Sequence, residues 1–329
     1  MSMKALIGRR SSLLLCAAGF ATASSAAAQT YPDKPVRVIV PFAPGGGSDS
    51  LARLVGNKLS PRWGQPIIVD NRGGAGGTLG AGVAAKAAPD GYTLMVSDSS
   101  AITMNPWLYS KLPYAAADFV PVIHLATFTI VLLVPPNSPY NSLADLIAAE
   151  KAKPGSLNAG TAGNGTSPHL VLEMLNAAAG TSIVHVPYRG GGPANTAFMS
   201  GELDLLVNGL GTGTAPLIAD GSAKAIAVTT PERIPYLPNV PTIAEAGFPG
   251  FEAVSAQTLF APAGTPPEIF RKLNQDVFEV LQEPDIAELW RKSSYLPAVR
   301  QTPAEISAWL AAESAKWARV VQTSNIRLD

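Results

Sequence analysis

Short apolar runs alternate with amphipathic stretches along most of this chain. The run over 36–40 (VRVIV) reads as a strand, and the stretch over 50–59 places apolar residues at helical spacing. Further strands are predicted over 67–71, 92–96, 157–161, 183–186, 203–208 and 223–229. Helices are predicted over 78–87, 169–178, 267–281, 285–292 and 303–321, and another opens at Asn141, Ser142 and Leu143 and runs towards Lys151. Strand and helix in alternation predict an α/β fold with a mainly parallel sheet. Two apolar runs in tandem, 119–127 and 129–134, are long enough to cross between two domains, and 254–259 is the return crossing. Two crossings make the first domain discontinuous. The expected division is a leader over 1–28, one lobe from 29–128 and 255–329, and a second lobe over 129–254, with a ligand cleft between the lobes.

Glycine-rich loops sit where predicted strands turn into helices. Gly45, Gly46, Gly47, Ser48 and Asp49 join the first strand to the first helix. A second such turn spans 73–82, and Tyr188, Arg189 and Gly190 to Gly192 repeat the device. Glycines at a helix start leave backbone N–H groups bare, and such groups bind anions. No G-x-G-x-x-G and no G-x-x-x-x-G-K-[ST] occurs, and the first loop carries no lysine, so a carboxylate suits it better than a phosphate. The competing reading is a tight turn and nothing more. Asp49 is read as a helix N-terminal residue favoured by the helix dipole. In open α/β sheets ligands sit at the carboxyl ends of strands. That places the loops near Gly45, Ser97, Gly165 and Gly190 together.

Composition sharpens the picture at the ends. Lys4, Arg9 and Arg10 precede a short apolar run over 13–20, and Ala26, Ala27 and Ala28 offer a small-residue cleavage site. The expectation is an exported, periplasmic protein, with the Sec and Tat routes both open. Cys16, the one cysteine, falls inside this leader. The mature chain then has none, which excludes a disulfide framework and thiolate chemistry. Removing the leader leaves 21 basic against 24 acidic residues, a net charge of −3. That balance argues against a nucleic-acid partner and against anionic membrane surfaces. Local dipoles would have to hold an anionic ligand.

The chain has three histidines on which catalysis could rest. His124 and His185 lie in apolar strands and read as core or edge residues. His169 has Glu173 one turn on, which reads as a surface contact and not as a metal site. Ser167 beside His169 could be the nucleophile of a secreted serine hydrolase, but there is no G-x-S-x-G elbow and no convincing third member. No cofactor and no metal are expected.

Several segments then fall into a recognisable order: Pro41-Phe42-Ala43-Pro44-Gly45-Gly46, Asn71-Arg72-Gly73-Gly74-Ala75-Gly76-Gly77-Thr78, Pro89-Asp90-Gly91-Tyr92, Gly163-Asn164-Gly165-Thr166-Ser167-Pro168-His169 and Pro187-Tyr188-Arg189-Gly190-Gly191-Gly192-Pro193. In that order and spacing the chain resembles the Bug/TctC family, the extracytoplasmic solute receptors of tripartite tricarboxylate transporters. The resemblance implies a two-lobed periplasmic-binding-protein fold of type II that captures a small organic acid and hands it to membrane permease subunits, as a monomer and without catalysis. A signalling receptor would use the same cleft. The residues implied to hold the ligand are Phe42, Ala43, Gly45, Gly46, Ser48 and Asp49 on one side, with Ser97 and Ser99. Gly165, Thr166, Ser167, Tyr188, Arg189 and Asn208 face them. The second-side loop is expected to grip a carboxylate with hydroxyls and N–H groups. Relatives often carry aspartate at the Asn208 position, and tryptophan then glycine near Ala256 and Thr258. If these positions line the cleft, it takes a bulkier acid, aromatic or with a second carboxylate.

Overall fold

The computed structural model describes residues 31–211, 213–293, 295, 301–324 and 327–328. The leader expected over 1–28, with Cys16, lies outside the described residues. The elements in chain order are β1 (Val36–Val40), α1 (Gly47–Trp63), β2 (Ile67–Asn71), α2 (Thr78–Ala85), β3 (Thr93–Asp98), α3 (Ser100–Thr103), α4 (Asn105–Leu108), β4 (Phe119–Val134), α5 (Leu143–Ala152) and β5 (Asn158–Thr161). There follow α6 (Ser167–Ala179), β6 (Val184–Pro187), α7 (Gly191–Met199), β7 (Leu205–Gly209), α8 (Ala215–Ala219), β8 (Lys224–Val228), β9 (Val254–Pro262), α9 (Pro267–Leu281), α10 (Pro284–Ser293) and α11 (Pro303–Ser324).

The two tandem apolar runs form one strand, β4, and that strand organises the molecule. Its first part pairs antiparallel with β9, from Phe119 opposite Pro262 to Thr129 opposite Val254. Its last part pairs antiparallel with β7 and β8. Nearly every β4 residue is buried, which explains a continuous apolar run where a half-exposed strand would alternate. The sheet runs β2-β1-β3-β9-β4-β7-β5-β6, with β8 on β4. It is mixed, and the expectation of a mainly parallel sheet is corrected. The β1, β2, β3 group and the β5, β6, β7 group are parallel, but the crossing strands β4 and β9 run against their neighbours.

Each sheet half carries its own core. Ile39, Met95, Phe119 and Phe260 pack in the first, with Phe119 edge-on to Phe260. Val131, Leu133, Phe198 and Leu206 pack in the second. Residues 32–329 nonetheless pack as one compact unit. At the crossing, Thr229 Oγ1 donates to the Ala253 carbonyl at 2.5 Å and accepts the Ile130 N–H at 3.0 Å. Thr129 lies 3.2 Å away.

Helix ends follow local chemistry. The first helix begins at Gly47 and not near residue 50, because Gly46 takes the extended N-cap geometry. It passes Pro61 and stops at Gly64, whose φ of 62° is left-handed. Ser142 caps α5 by accepting the Asp145 N–H, as its residue type predicts. Pro168 sits in the first turn of α6, where the missing N–H costs nothing. The short helices α3, α4 and α8 were not anticipated; at four or five residues they leave no periodicity to read.

Candidate functional site

Three helices of nine or more residues begin at one pocket, beside the short α8. Gly46, Gly47 and Ser48 bring the start of α1, Thr166 and Pro168 the start of α6, and Gly191 the start of α7. The first-turn N–H groups of a helix have no partner inside it, and each terminus carries roughly half a positive charge. Phe42, Phe128 and Tyr295 supply apolar wall. Asn195, Asn208, Thr214 and Gln257 supply neutral polar groups. The space at the pocket, including space open to solvent, is about 580 Å³.

The rims on either side of the crossing strands touch. The Ala43 N–H donates to the Arg189 carbonyl at 2.8 Å. The loop at Gly76 meets the Asn164 carbonyl so closely that a Cβ on Gly76 would sit 1.9 Å from it. A Cβ on Gly192 would sit 2.6 Å from the Pro44 carbonyl oxygen. Only glycine permits these approaches, which is the physical use of the loops that stood out in the sequence.

The pocket also has an acid. Asp98, at the end of β3, is 6% exposed and lines the wall. Its Oδ1 accepts the Ser100 N–H at 2.7 Å and the Ser167 hydroxyl at 2.9 Å; its Oδ2 accepts the Ser255 hydroxyl at 2.9 Å. Burial pushes its pKa up, against the pull of these donors. No lysine or arginine lines the pocket among the described residues.

Of the residues predicted for the site, Phe42, Gly46, Ser48, Thr166 and Asn208 lie on the pocket wall. Ser48 donates to Gln257 at 2.6 Å, and Asn208 donates to Asn195 at 2.9 Å. The others stand behind the wall or outside it. Ser97 and Ser99 are buried; Ser97 donates to the Asp98 carbonyl, and the Ser99 and Ser255 hydroxyls are 3.1 Å apart. Asp49 accepts from Gly45 N–H, Arg53 and Asn71, which is the helix-terminal role read from sequence. Gly45 and Gly165 set left-handed turns with φ of 85° and 77°. Ala43 and Arg189 meet through backbone, while the Arg189 side chain is exposed and the Tyr188 hydroxyl donates to Glu202 at 3.4 Å.

The hydroxyls expected to grip a carboxylate are both committed inside the protein. Thr166 donates to the Gly163 carbonyl at 2.7 Å and Ser167 to Asp98. The groups on this side with no partner inside their helix are backbone N–H. Asp98, Gln257, Asn195 and Tyr295 were not among the residues expected at the site. The signal for Asp98 was present: a single acid closes an apolar strand and is followed by two serines.

His169 corrects another expectation. It is buried, not at the surface, and Glu173 is 3.7 Å from its Nε2. His185 stacks on it at 4.2 Å with ring planes 22° apart. The three could be read as a metal set. Lone pairs lie in the ring planes, however, and nearly parallel planes do not converge on one ion. The Gly165 N–H donates to His169 Nδ1 at 3.2 Å, and His185 Nε2 pairs with Thr161 at 2.7 Å. Burial pulls both imidazoles down, to about 3 for His169, where His185 adds a smaller effect, and to about 4 for His185. The pair buttresses the 163–167 loop from behind.

A family profile described as the tripartite tricarboxylate transporter family receptor, TctC, matches residues 51–326. The chain belongs to the TctC family. BugT of Bordetella pertussis is 35% identical to this TctC protein over 96% of each chain. A Rhodopseudomonas palustris protein solved with adipate superposes with a TM-score of 0.86 at 36% identity, over 90% of this chain and 99% of that one. MatC of the same organism, solved with malate, gives 0.84 at 34%, over 88% and 100%. The fold is therefore the two-lobed periplasmic-binding-protein fold, and the family is one of solute receptors. Of the departures noted in this TctC protein, Asn208 faces the pocket. Ala256 and Thr258 are fully buried and do not. Side chains alternate along a strand, so Ser255 and Gln257 face the site and the residues between and beyond them face away. Ala256 therefore does not shape the pocket wall.

Proposed function

We propose that this protein captures a small organic acid in the pocket between its sheet halves and delivers it to membrane permease subunits. The observation that carries the reading is the convergence of three helix N-termini on one pocket whose lining includes no basic side chain among the described residues. Such termini hold a carboxylate through backbone N–H groups. Relatives solved with adipate and with malate point the same way. In this reading residues 29–128 and 255–329 form one lobe and 129–254 the other. The crossing strands β4 and β9 act as hinge, and ligand bridging the lobes favours the closed state. The leader over 1–28 directs the protein to the periplasm, where it works as a monomer. No helix among the described residues is long and apolar enough to cross a membrane.

A hydrolytic reading finds no support in the geometry. The Ser167 hydroxyl donates to Asp98, and His169 presents Nδ1 to the Gly165 N–H. The serine–histidine pair that a hydrolase of this kind needs is not formed among the described residues.

The direct test is thermal unfolding with mono-, di- and tricarboxylates, aliphatic and aromatic. A ligand bound only by the native state raises the melting temperature. At least one carboxylate should do so; a panel with no shift refutes capture. Within the same assay Asn208→Asp should weaken carboxylate binding about tenfold, or ~1.4 kcal/mol. It adds a like charge to the wall and removes the amide that donates to Gly191 and Asn195. Unaltered affinity would place the ligand away from Asn208.

A further inference from the structure

Asp98 poses a problem for a pocket that takes anions. It is the only ionisable carboxylate on the described wall, and no described basic side chain lines the pocket to neutralise it. Three hydrogen bonds fix it: Ser100 N–H and Ser167 on Oδ1, and Ser255 on Oδ2. Ser255 is within 3.1 Å of Ser99 and 3.0 Å of Ser167, so a buried hydroxyl cluster holds the carboxylate in place at the wall. A buried charge is costly unless an opposite charge answers it. The three helix termini answer one anion. A ligand with a second carboxylate at Asp98 would set two acids against each other, and one of them would have to take up a proton. A ligand bearing a protonated nitrogen would place opposite charge on Asp98 while its carboxylate met the helix termini.

We propose that Asp98 is a specificity-determining residue that reads a protonated nitrogen on the ligand, so that the preferred ligands are zwitterionic amino acids and not simple dicarboxylates. The inference rests on the capture reading above and narrows its ligand class. Oδ2, which accepts one hydrogen bond among the described residues, is the oxygen with capacity for the ligand N–H. Capture needs nothing from this residue, whereas selectivity does, so the two can fail separately.

The test uses two matched pairs measured by calorimetry. Adipate and 5-aminopentanoate differ in one terminus, carboxylate against ammonium. Malate and aspartate differ by hydroxyl against ammonium. In each pair the amine is expected to bind at least tenfold tighter. Asp98→Asn keeps the shape and can still accept from Ser100 and Ser167. It should erase the amine preference, weakening the amines tenfold or more and strengthening adipate. Asp98→Ser, which also removes the charge, should likewise erase the preference and serves as second variant if Asp98→Asn does not fold. Tighter binding of the dicarboxylate or hydroxy acid in the wild type overturns the inference and leaves capture standing. So does an amine preference that survives Asp98→Asn or Asp98→Ser. Binding of none of the four compounds overturns the inference, and with no shift in the wider panel it overturns capture as well.

Discussion

Replacing Gly192 by alanine is expected to raise the dissociation constant for the ligand by about 150-fold while leaving the fold intact. Gly192 lies in the first turn of α7, where backbone geometry is ordinary and an alanine strains nothing locally. Its Cβ would nevertheless meet the opposite loop, 2.6 Å from the Pro44 carbonyl oxygen and 2.9 Å from the Gly45 carbonyl carbon. Both atoms are backbone, so neither can swing aside. The loops before α1 and α7 must move apart, and their closeness is what brings two of the three helix termini together. Overpacking costs roughly 1–3 kcal/mol, and a double backbone clash belongs at the upper end. Three kcal/mol is a little over two powers of ten in affinity. With the loops apart, the substitution removes a flexible glycine from a helix and favours folding slightly. Calorimetric titration beside a circular-dichroism melt separates the effects. Wild-type affinity in a folded Gly192→Ala protein would mean that the loops need not approach for capture.

How much of this was legible beforehand depends on the range of the interactions. The α9 helix was expected over 267–281 and occupies those residues, because its stripe of apolar positions is local information. Leu170, Leu172 and Leu175, within the expected helix over 169–178, are fully buried. The glycine loops were rightly singled out as special backbone, but the partner of each glycine lies far along the chain. Gly192 meets Pro44, and Gly76 meets Asn164. Nothing local names such partners. The same holds for Asp98, whose donors Ser167 and Ser255 come from α6 and β9. The β9 register was the costliest gap. Choosing Ala256 over Ser255 or Gln257 shifts the face by one residue, and a strand buried on both faces gives no alternation to correct it. Sheet direction was missed for a related reason. An apolar run has no orientation in sequence, and only the pairing of β4 with β9 shows that they run against their neighbours.

Acid should unfold this protein well above the pH at which its carboxylates titrate. His124, His169 and His185 are mostly buried, and burial holds their imidazoles down, at about 4, about 3 and about 4. In the unfolded chain each returns to about 6.5. The unfolded state therefore binds more protons below that pH. Stability is complete above roughly pH 6.5 and is lost as pH falls towards the folded values. His124 shows the cause most plainly. Its Nδ1 pairs with Thr258 at 2.8 Å, Nε2 has no partner, and Trp309 packs edge-on at 4.9 Å. A proton on this ring adds a charge with no acceptor. The fall from 6.5 to about 4 corresponds to about 3 kcal/mol, and the stacked pair adds to it with the same sign. Asp98 and Glu173, raised by burial, work the other way as they protonate. Against a total stability of about 5–15 kcal/mol the histidines dominate. The urea midpoint should fall steeply between pH 6.5 and 4.5, and His124→Gln should remove about 2–3 kcal/mol of that loss. A flat midpoint across this range in the wild type would refute the account, and an unchanged slope in His124→Gln would shift it onto the stacked pair.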